Sequence, residues 1–317
     1  EYQVRDRLSF TRFLTSGIED CIPDGTTLWL FREKLAKAGV IEKLFDRFDR
    51  HLGAKGYIAR GGQIVDATIV PVPRQRNTRD ENETIKGGQT PRAWEKKPAQ
   101  NRQKDKDARW TKKHGRSFYG YKNHVNADAT HKLIRRYAVS DAAVHDSQKL
   151  DGLLNKANTS ADVFADSAYR SAETEARLKA RGFRSRIHVR ATRNHPLSQR
   201  QEEANRKKSQ VRVRVEHVFG AQETSAGSRL VRTIGIARAR VKIGLQNLAG
   251  LRINVKVPLA VSLDRIRPVE SGVEPLRTIG RGHLGREHVT QFVEEGPGIL
   301  FGVEIARFPT PPSPAPG

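Results

Sequence analysis

Residues 61–72, GGQIVDATIVPV, decide how the chain folds. Ile64, Val65, Thr68, Ile69 and Val70 make a β-branched run opened by glycines and closed by Pro71, the signature of a buried strand. Asp66 interrupts that run. A carboxylate without a partner in such a strand costs several kcal/mol, so a metal ion or a salt bridge must satisfy it. The residues alone leave both open.

Reading outward toward the C-terminus, FYGYKNHVNADATHKLIRRYAVS (118–140) alternates as a hairpin does, with a turn expected at Asn126-Ala127-Asp128. Residues 147–157 read as a short helix that Asp146 would cap. VFADSAY (163–169) is a second short apolar strand, with Asp166 near its end. Asp166 reads equally as a metal ligand or as a turn former. Ser171 to Arg181 is a helix capped by Ser171, with Glu173 and Glu175 in its first turn. Arg186 to Val189 reads as a further strand. Residues 198–220 form the longest helical segment, in which Val211, Val215, Val218 and Phe219 make one buried stripe. Glu216 borders that stripe, and Arg212, four residues earlier, is positioned to pair with it.

This order of strands and helices is an α/β layer fold. A carboxylate within one strand and another near the end of a later strand can meet across neighbouring strands, with the helical Glu216 leaning over the edge. Three carboxylates so placed suit hard divalent ions, which take oxygen ligands. Two such ions roughly 3.5–4 Å apart clamp both oxygens of an in-line phosphodiester displacement. Asp146, beside His145, is an alternate ligand in this scheme. No histidines follow HExxH spacing and no GxxxxGK[ST] loop is present, which removes zinc hydrolysis of that type and P-loop ATP chemistry.

Upstream, residues 1–56 read as a small helical region. Leu28, Phe31, Leu35 and Ala38 recur at helical spacing, Gly39 punctuates, and Ile41, Leu44, Phe45, Phe48 and Leu52 continue as a second amphipathic helix. A helix–turn–helix DNA reader and a plain helical hairpin both fit. Residues 74–117 are crowded with Arg, Lys, Asn and Gln. They read as a basic, flexible insertion, or as an arm gripping phosphates, with Trp94 and Trp110 stacking on bases or packing the arm down. Residues 57–257 are expected to form one domain, and residues 258–317, rich in Pro and Gly, an irregular, largely disordered tail.

The composition names the class of partner. The chain has 317 residues with 58 Lys+Arg against 35 Asp+Glu, a formal charge of +23. A surplus of that size favours a polyanion, above all nucleic acid. Lys207, Lys208, Arg212 and Arg214 on the long helix, Lys112 and Lys113 in the arm and Lys122 in the hairpin are the candidate DNA contacts. No run approaches the roughly 18 apolar residues of a membrane span, and a cytoplasmic, nucleoid-associated setting is expected. One cysteine, Cys21, rules out an internal disulfide framework. With no methionine in the chain, Glu1 reads as something other than the natural start.

The runs DRLSFTRFL, IPDGTTLWLFREKLAKAGVIEKLF, IVDATIV, KKHGRSFYGYKNHVNADATHKLIRRYAVSDAAVHDSQ, FADSAYRS and RVRVEHVFG resemble, in order and spacing, the insertion sequence 5 (IS five) family of DDE transposases. The resemblance covers roughly residues 1–250. It implies a ribonuclease H-like mixed sheet flanked by helices. It also implies an acidic triad carried onto Asp66, Asp166 and Glu216 and holding Mg²⁺ or Mn²⁺, two ions in all. The implied activity is metal-dependent nicking and strand transfer on double-stranded DNA, at terminal inverted repeats and at a target, by a homo-oligomer. The family signature Tyr, two residues, Arg, three residues, Glu, six residues, Lys is met at Arg212 and Glu216, while Ser209 and Glu223 stand at the other two positions. A ribonuclease H-like nuclease without strand transfer, and an inactive copy that only binds DNA, are the alternatives.

Overall fold

The computed structural model describes residues 2–8, 11, 17, 20–113, 115–193, 195–226 and 230–254. The chain divides into two units, Gly25–Lys256 and a second made of Glu1–Asp24 with Val257–Gly317. The second unit contributes a short helix, α1 (Tyr2–Asp6), and the expected tail lies outside the described residues.

In the first unit, α2 (Gly25–Ala38) and α3 (Ile41–Ala54) are the two helices expected from the apolar spacing. Gly39, at φ +61, makes the left-handed link between them that a side chain would strain. Strand β1 (Gln63–Pro71) follows. The basic stretch 74–117 carries three short helices, α4 (Arg79–Lys86), α5 (Arg92–Glu95) and α6 (Pro98–Gln103), and strand β2 (Arg109–Lys113). A capping box between Thr78 and Glu81 starts α4. Trp94 is buried, donating to Glu81 Oε1 at 2.7 Å beneath the Lys104 ammonium. Trp110 instead lies exposed against Tyr119. The two tryptophans thus do different jobs, one packing the arm down and the other remaining at the surface.

Strand β3 (Arg116–Asp128) and β4 (Ile134–Asp141) form the hairpin. The expected turn residues Asn126, Ala127 and Asp128 are strand residues and fully buried; the chain turns at 129–133 instead. Asp128 tolerates this place because its carboxylate accepts from His131 N at 2.5 Å and from Arg135 Nη2 at 3.2 Å. The helix expected at 147–157 is a 3₁₀ turn (Asp146–Lys149) and a single α-turn, α7 (Leu150–Leu153). His145, rather than Asp146, caps it. Then come β5 (Asp162–Phe164), a 3₁₀ turn (Ser167–Tyr169), α8 (Ala172–Ala180) with Ser171 as its cap, and β6 (Arg184–Ser185), two residues earlier than the expected strand. The single long helix expected at 198–220 is broken at Val213 into α9 (Gln199–Arg212) and α10 (Arg214–Ala226); α11 (Ile236–Asn254) closes the unit.

The six strands make one mixed sheet in the order β2-β3-β1-β5-β6, with β4 also paired to β3. β1, β3 and β4 are antiparallel neighbours, while β5 and β6 run parallel to β1. Three antiparallel strands continued by parallel ones and flanked by helices are the ribonuclease H-like arrangement expected. One face packs Ile64, Val125 and Phe164 against Phe45 of α3 and Val215, Val218 and Phe219 of α10. The other packs Val65, Val163, Ala165 and Ile187 against Leu150, Leu153, Tyr169 and Leu178. Gly62, at φ +100, lets β1 approach β5 closely, since an added Cβ would stand 2.9 Å from Asp162 O. The Asn158 side chain clasps the same glycine, accepting from its N–H at 3.1 Å and donating to its carbonyl at 2.8 Å.

Candidate active site

Sheet register places the first two carboxylates. The β1–β5 pairing matches Gln63 with Val163 and Ile64 with Phe164, an offset of 100 that equals the separation of Asp66 and Asp166. The ladder ends at Phe164, and the same register carried two residues further would set Asp166, at the start of the turn that follows β5, beside Asp66. From β5 to β6 the pairing Asp162 to Arg184 and Val163 to Ser185 has an offset of 22, which puts His188 level with Asp166. Backbone bonds from Arg186 N to Val163 O (2.8 Å) and from His188 N to Ala165 O (3.3 Å) extend that register past the end of β6. Val65, Ala165 and Ile187 share one core. Asp66, Asp166 and His188, each one residue further on, therefore face the opposite side, which α10 covers.

Asp66 is largely buried, and two donors reach its carboxylate: Ala67 N at 2.8 Å and Arg212 Nη1 at 2.7 Å. Burial pushes its pKa above the ordinary range. The Arg212 guanidinium opposes that push, and the negative charge of Glu216 adds to it. Asp166 is partly exposed and caps the turn behind it through Ser167 N. Glu216 stands exposed in the first turn of α10, one residue from buried Val215. The helix break at Val213 changes the expected pairing: Arg212, at the end of α9, reaches Asp66 rather than Glu216. Among the described residues, no three His, Cys, Asp or Glu side chains gather closely enough to hold a metal ion. Asp66 and Asp166 share a row and Glu216 is felt electrostatically at Asp66, but an arginine occupies Asp66.

The residue set nonetheless fits a divalent cation. The donors are hard oxygens. Asp66 is a carboxylate whose burial disfavours its charge, and the chain itself answers with a cation at 2.7 Å.

The other candidates are dispersed around this row. Lys122 is half-buried on β3 and pairs with Asp146 at 2.9 Å. Asp146 also lies 3.9 Å from His124 Nδ1, and burial, followed by the charges of Asp146, Asp66 and Asp166, pushes the Tyr169 phenol up. Lys112 and Lys113 are exposed on β2, and the Lys113 charge is felt at Asp66. Lys207 is exposed on α9, Lys208 donates to Ile187 O at 2.9 Å, and Arg214 donates to Ala129 O at 2.5 Å. Tyr119 and Tyr121 do not reach toward the row. They bond to Asp105, Tyr119 to its carbonyl and Tyr121 to its carboxylate, and so tie the arm to β3.

Two residues of this site escape a reading of the sequence. Tyr169 is signalled only by lying three residues after Asp166. His188 is visible only once the β5–β6 register is known, since Arg186 to Val189 has no feature that marks its histidine. Ser209, at the position where the family signature has tyrosine, is hydrogen-bonded to it: Ser209 Oγ and His188 Nε2 are 3.2 Å apart.

Comparison with known proteins gives the family. Residues 59–250 match the family model described as a transposase DDE domain. The chain is 35% identical over 196 residues to the transposase for insertion sequence element IS1106 of Neisseria meningitidis serogroup B, a match covering 60% of this chain and 64% of that relative. The chain thus spans somewhat under two thirds of the relative's length. No solved structure matches it.

Proposed function

The chain belongs to the family of insertion-sequence transposases with a DDE domain, and from that premise we propose that it cuts DNA at the ends of an insertion sequence and joins the freed 3′-hydroxyl to target DNA. The observation that carries this reading is Asp66 on β1 and Asp166 just past the end of the neighbouring β5, with Arg212 at the end of α9 bonded to the first of them.

In this reading Asp66, Asp166 and Glu216 hold Mg²⁺ or Mn²⁺, two ions in all. Once bound, the ions would activate a water or a 3′-hydroxyl and stabilise the leaving oxygen. The chain's own groups do the rest. Arg212 must leave Asp66 before an ion can take its place, and a DNA phosphate is the anion to which its guanidinium turns. The exposed break at Val213 separates Arg212 from Glu216, so the two can move independently. Lys207, Lys208 and Arg214 beside the row, with Lys112, Lys113 and Lys122 across the sheet, lie along the DNA backbone.

The partners in this reading are double-stranded DNA, as terminal inverted repeats and as target, and further copies of the chain. No helix among the described residues is long and apolar enough to cross a membrane. The proposed setting is the cytoplasm, at the nucleoid.

The test is nicking and strand transfer on a duplex carrying the element's own ends, with Mg²⁺ or Mn²⁺, and Asp66→Ala alongside. Metal-dependent joined product that disappears in Asp66→Ala is expected. Nicking without joining would reduce the reading to a nuclease. Binding without cleavage would leave a DNA-binding protein.

A further inference from the structure

The row does not end at Asp166. His188 continues it on the same face, one strand further from Asp66. Helix α9 lies across this end and is fastened to the segment that follows β6. The Asn205 side chain accepts from Val189 N at 3.0 Å and donates to Val189 O at 2.9 Å, in the manner of a neighbouring strand. One turn on, Ser209 Oγ meets His188 Nε2 at 3.2 Å, and one turn further Arg212 reaches Asp66. A single helix face therefore spans the row, from His188 to Asp66.

The charge at the His188 end is unbalanced. Lys208 Nζ and Arg170 Nη1 both donate to one neutral acceptor, Ile187 O, at 2.9 and 3.2 Å. Arg186 also bears on Lys208. Glu175 lies 3.6 Å from Arg170 and is also bonded to the Ser185 hydroxyl. Asp162 is taken up by Arg184 and Arg186. The Lys208 ammonium is held below the ordinary lysine range by its burial and by Arg170 and Arg186, against Glu175, and the His188 imidazole is held down by its own burial and by Arg212, against Asp166. Four cations, Lys208, Arg170, Arg184 and Arg186, stand here against three carboxylates, Glu175, Asp162 and Asp166, which leaves this end net positive.

We propose that His188, Ser209 and Lys208 form a subsite for one DNA backbone phosphate, next to the phosphate being cut. The inference rests on the catalytic reading above, which places the reacting phosphate at Asp66 and Asp166. A strand passing along the row sets its next phosphate at the third position, where the imidazole and the ammonium donate to its oxygens. Ser209 holds the ring in the plane of the row. Contacts of this kind position the substrate and carry no sequence information.

Methylphosphonate scanning tests this. Neutral methylphosphonates are placed singly around the cleavage point of an end-bearing duplex, and binding is measured by anisotropy in Ca²⁺ for the wild type, His188→Ala, His188→Gln and Lys208→Gln. The wild type is expected to lose about 10-fold in affinity at one flanking phosphate, the effect of one good phosphate contact. His188→Ala and Lys208→Gln should bind more weakly but be indifferent to that same substitution. His188→Gln, which keeps a donor, should restore part of the sensitivity, and Lys208→Gln should lower the salt slope by about 1. Identical scanning profiles in wild type and variants, or a wild type that does not bind the duplex, would overturn the subsite. A wild type that shows the flanking effect yet never cleaves in Mg²⁺ or Mn²⁺ would retain the subsite and remove the catalytic reading.

Discussion

Two aspartate–arginine pairs stand on the same sheet and are built differently. At the hairpin end, Asp128 and Arg135 are both essentially inaccessible. Arg135 donates to Asp128 at 3.2 Å, to Asp49 at 2.9 Å and to the Tyr57 carbonyl at 2.7 Å, and the second Asp128 oxygen is taken by His131 N. At the other end, Arg212 meets Asp66 through one nitrogen, and both side chains keep some exposure, at 26% and 15%; the Nε of each arginine is buried without a partner. The first pair is knitted into α3, the hairpin and the loop before β1. The second rests on a helix end beside an exposed break. Breaking a buried ion pair held by several contacts leaves uncompensated charge in the interior, whereas one held by a single contact can be exchanged for another cation and another anion.

Four measurements would break or sharpen that contrast. The largest effect is expected from Asp66→Ala, which should lower metal-dependent joining by at least about 10³-fold, the scale of a lost metal clamp, and leave the urea midpoint nearly unchanged. A large fall in stability would place Asp66 with Asp128 as a structural acid. Next, Arg135→Ala should cost about 3–5 kcal/mol in urea unfolding, because it strands the buried Asp128 and the half-buried Asp49. Arg212→Ala should cost far less, and an equal loss in both would erase the distinction.

The third concerns pH. His124 is buried, bonded to Ser140 Oγ at 2.8 Å, with its Nδ1 3.9 Å from Asp146. Burial, helped by Lys122 and Lys149 and opposed by Asp146 and Asp141, pulls its pKa from 6.5 to about 4. The unfolded chain therefore binds this proton more readily than the folded one. Its contribution to stability is complete above pH 6.5 and falls as the pH drops toward 4, by up to about 1.4 kcal/mol per pH unit. Thermal melts from pH 7 to 4 should show a shallower fall for His124→Gln than for wild type. An unchanged slope would locate the acid sensitivity elsewhere, with His188, also held below the ordinary histidine range by burial, the next group to examine. Smallest, Ser198→Ala removes the capping box of α9 and should cost about 1 kcal/mol in stability. It should also loosen Arg212 from Asp66, while the Arg135 pair, on other elements, should be indifferent.

The sequence made the strands and their acids readable because Asp66 and Asp166 are anomalies, carboxylates within β-branched or apolar runs. Helices α2 and α3 were readable because their buried faces follow the 3.6-residue period. What could not be read was anything decided between segments. Asn126-Ala127-Asp128 has turn chemistry by composition, and only the distant Arg135 and the His131 amide make a strand of it. The break at Val213 leaves the apolar stripe intact, so periodicity runs across it unmarked. Arg212 finds Asp66 rather than the nearer Glu216 because that break turns it toward the sheet. His188 belongs to the row through two successive strand registers, each a matter of pairing between separate segments.

The ladder between β1 and β5 has a consequence for how such a chain can change. The alignment of Asp66 with Asp166 is counted locally, from the Gly62–Asn158 clasp and the first paired residues, and not along the hundred residues between them. Insertions and deletions in the arm or at the hairpin tip leave it untouched. A single residue gained or lost between Asp162 and Asp166 would turn the second carboxylate to the opposite face of the sheet. Length is thus free to drift in the arm and at the hairpin tip, and frozen over two spans of five residues, Gly62 to Asp66 and Asp162 to Asp166.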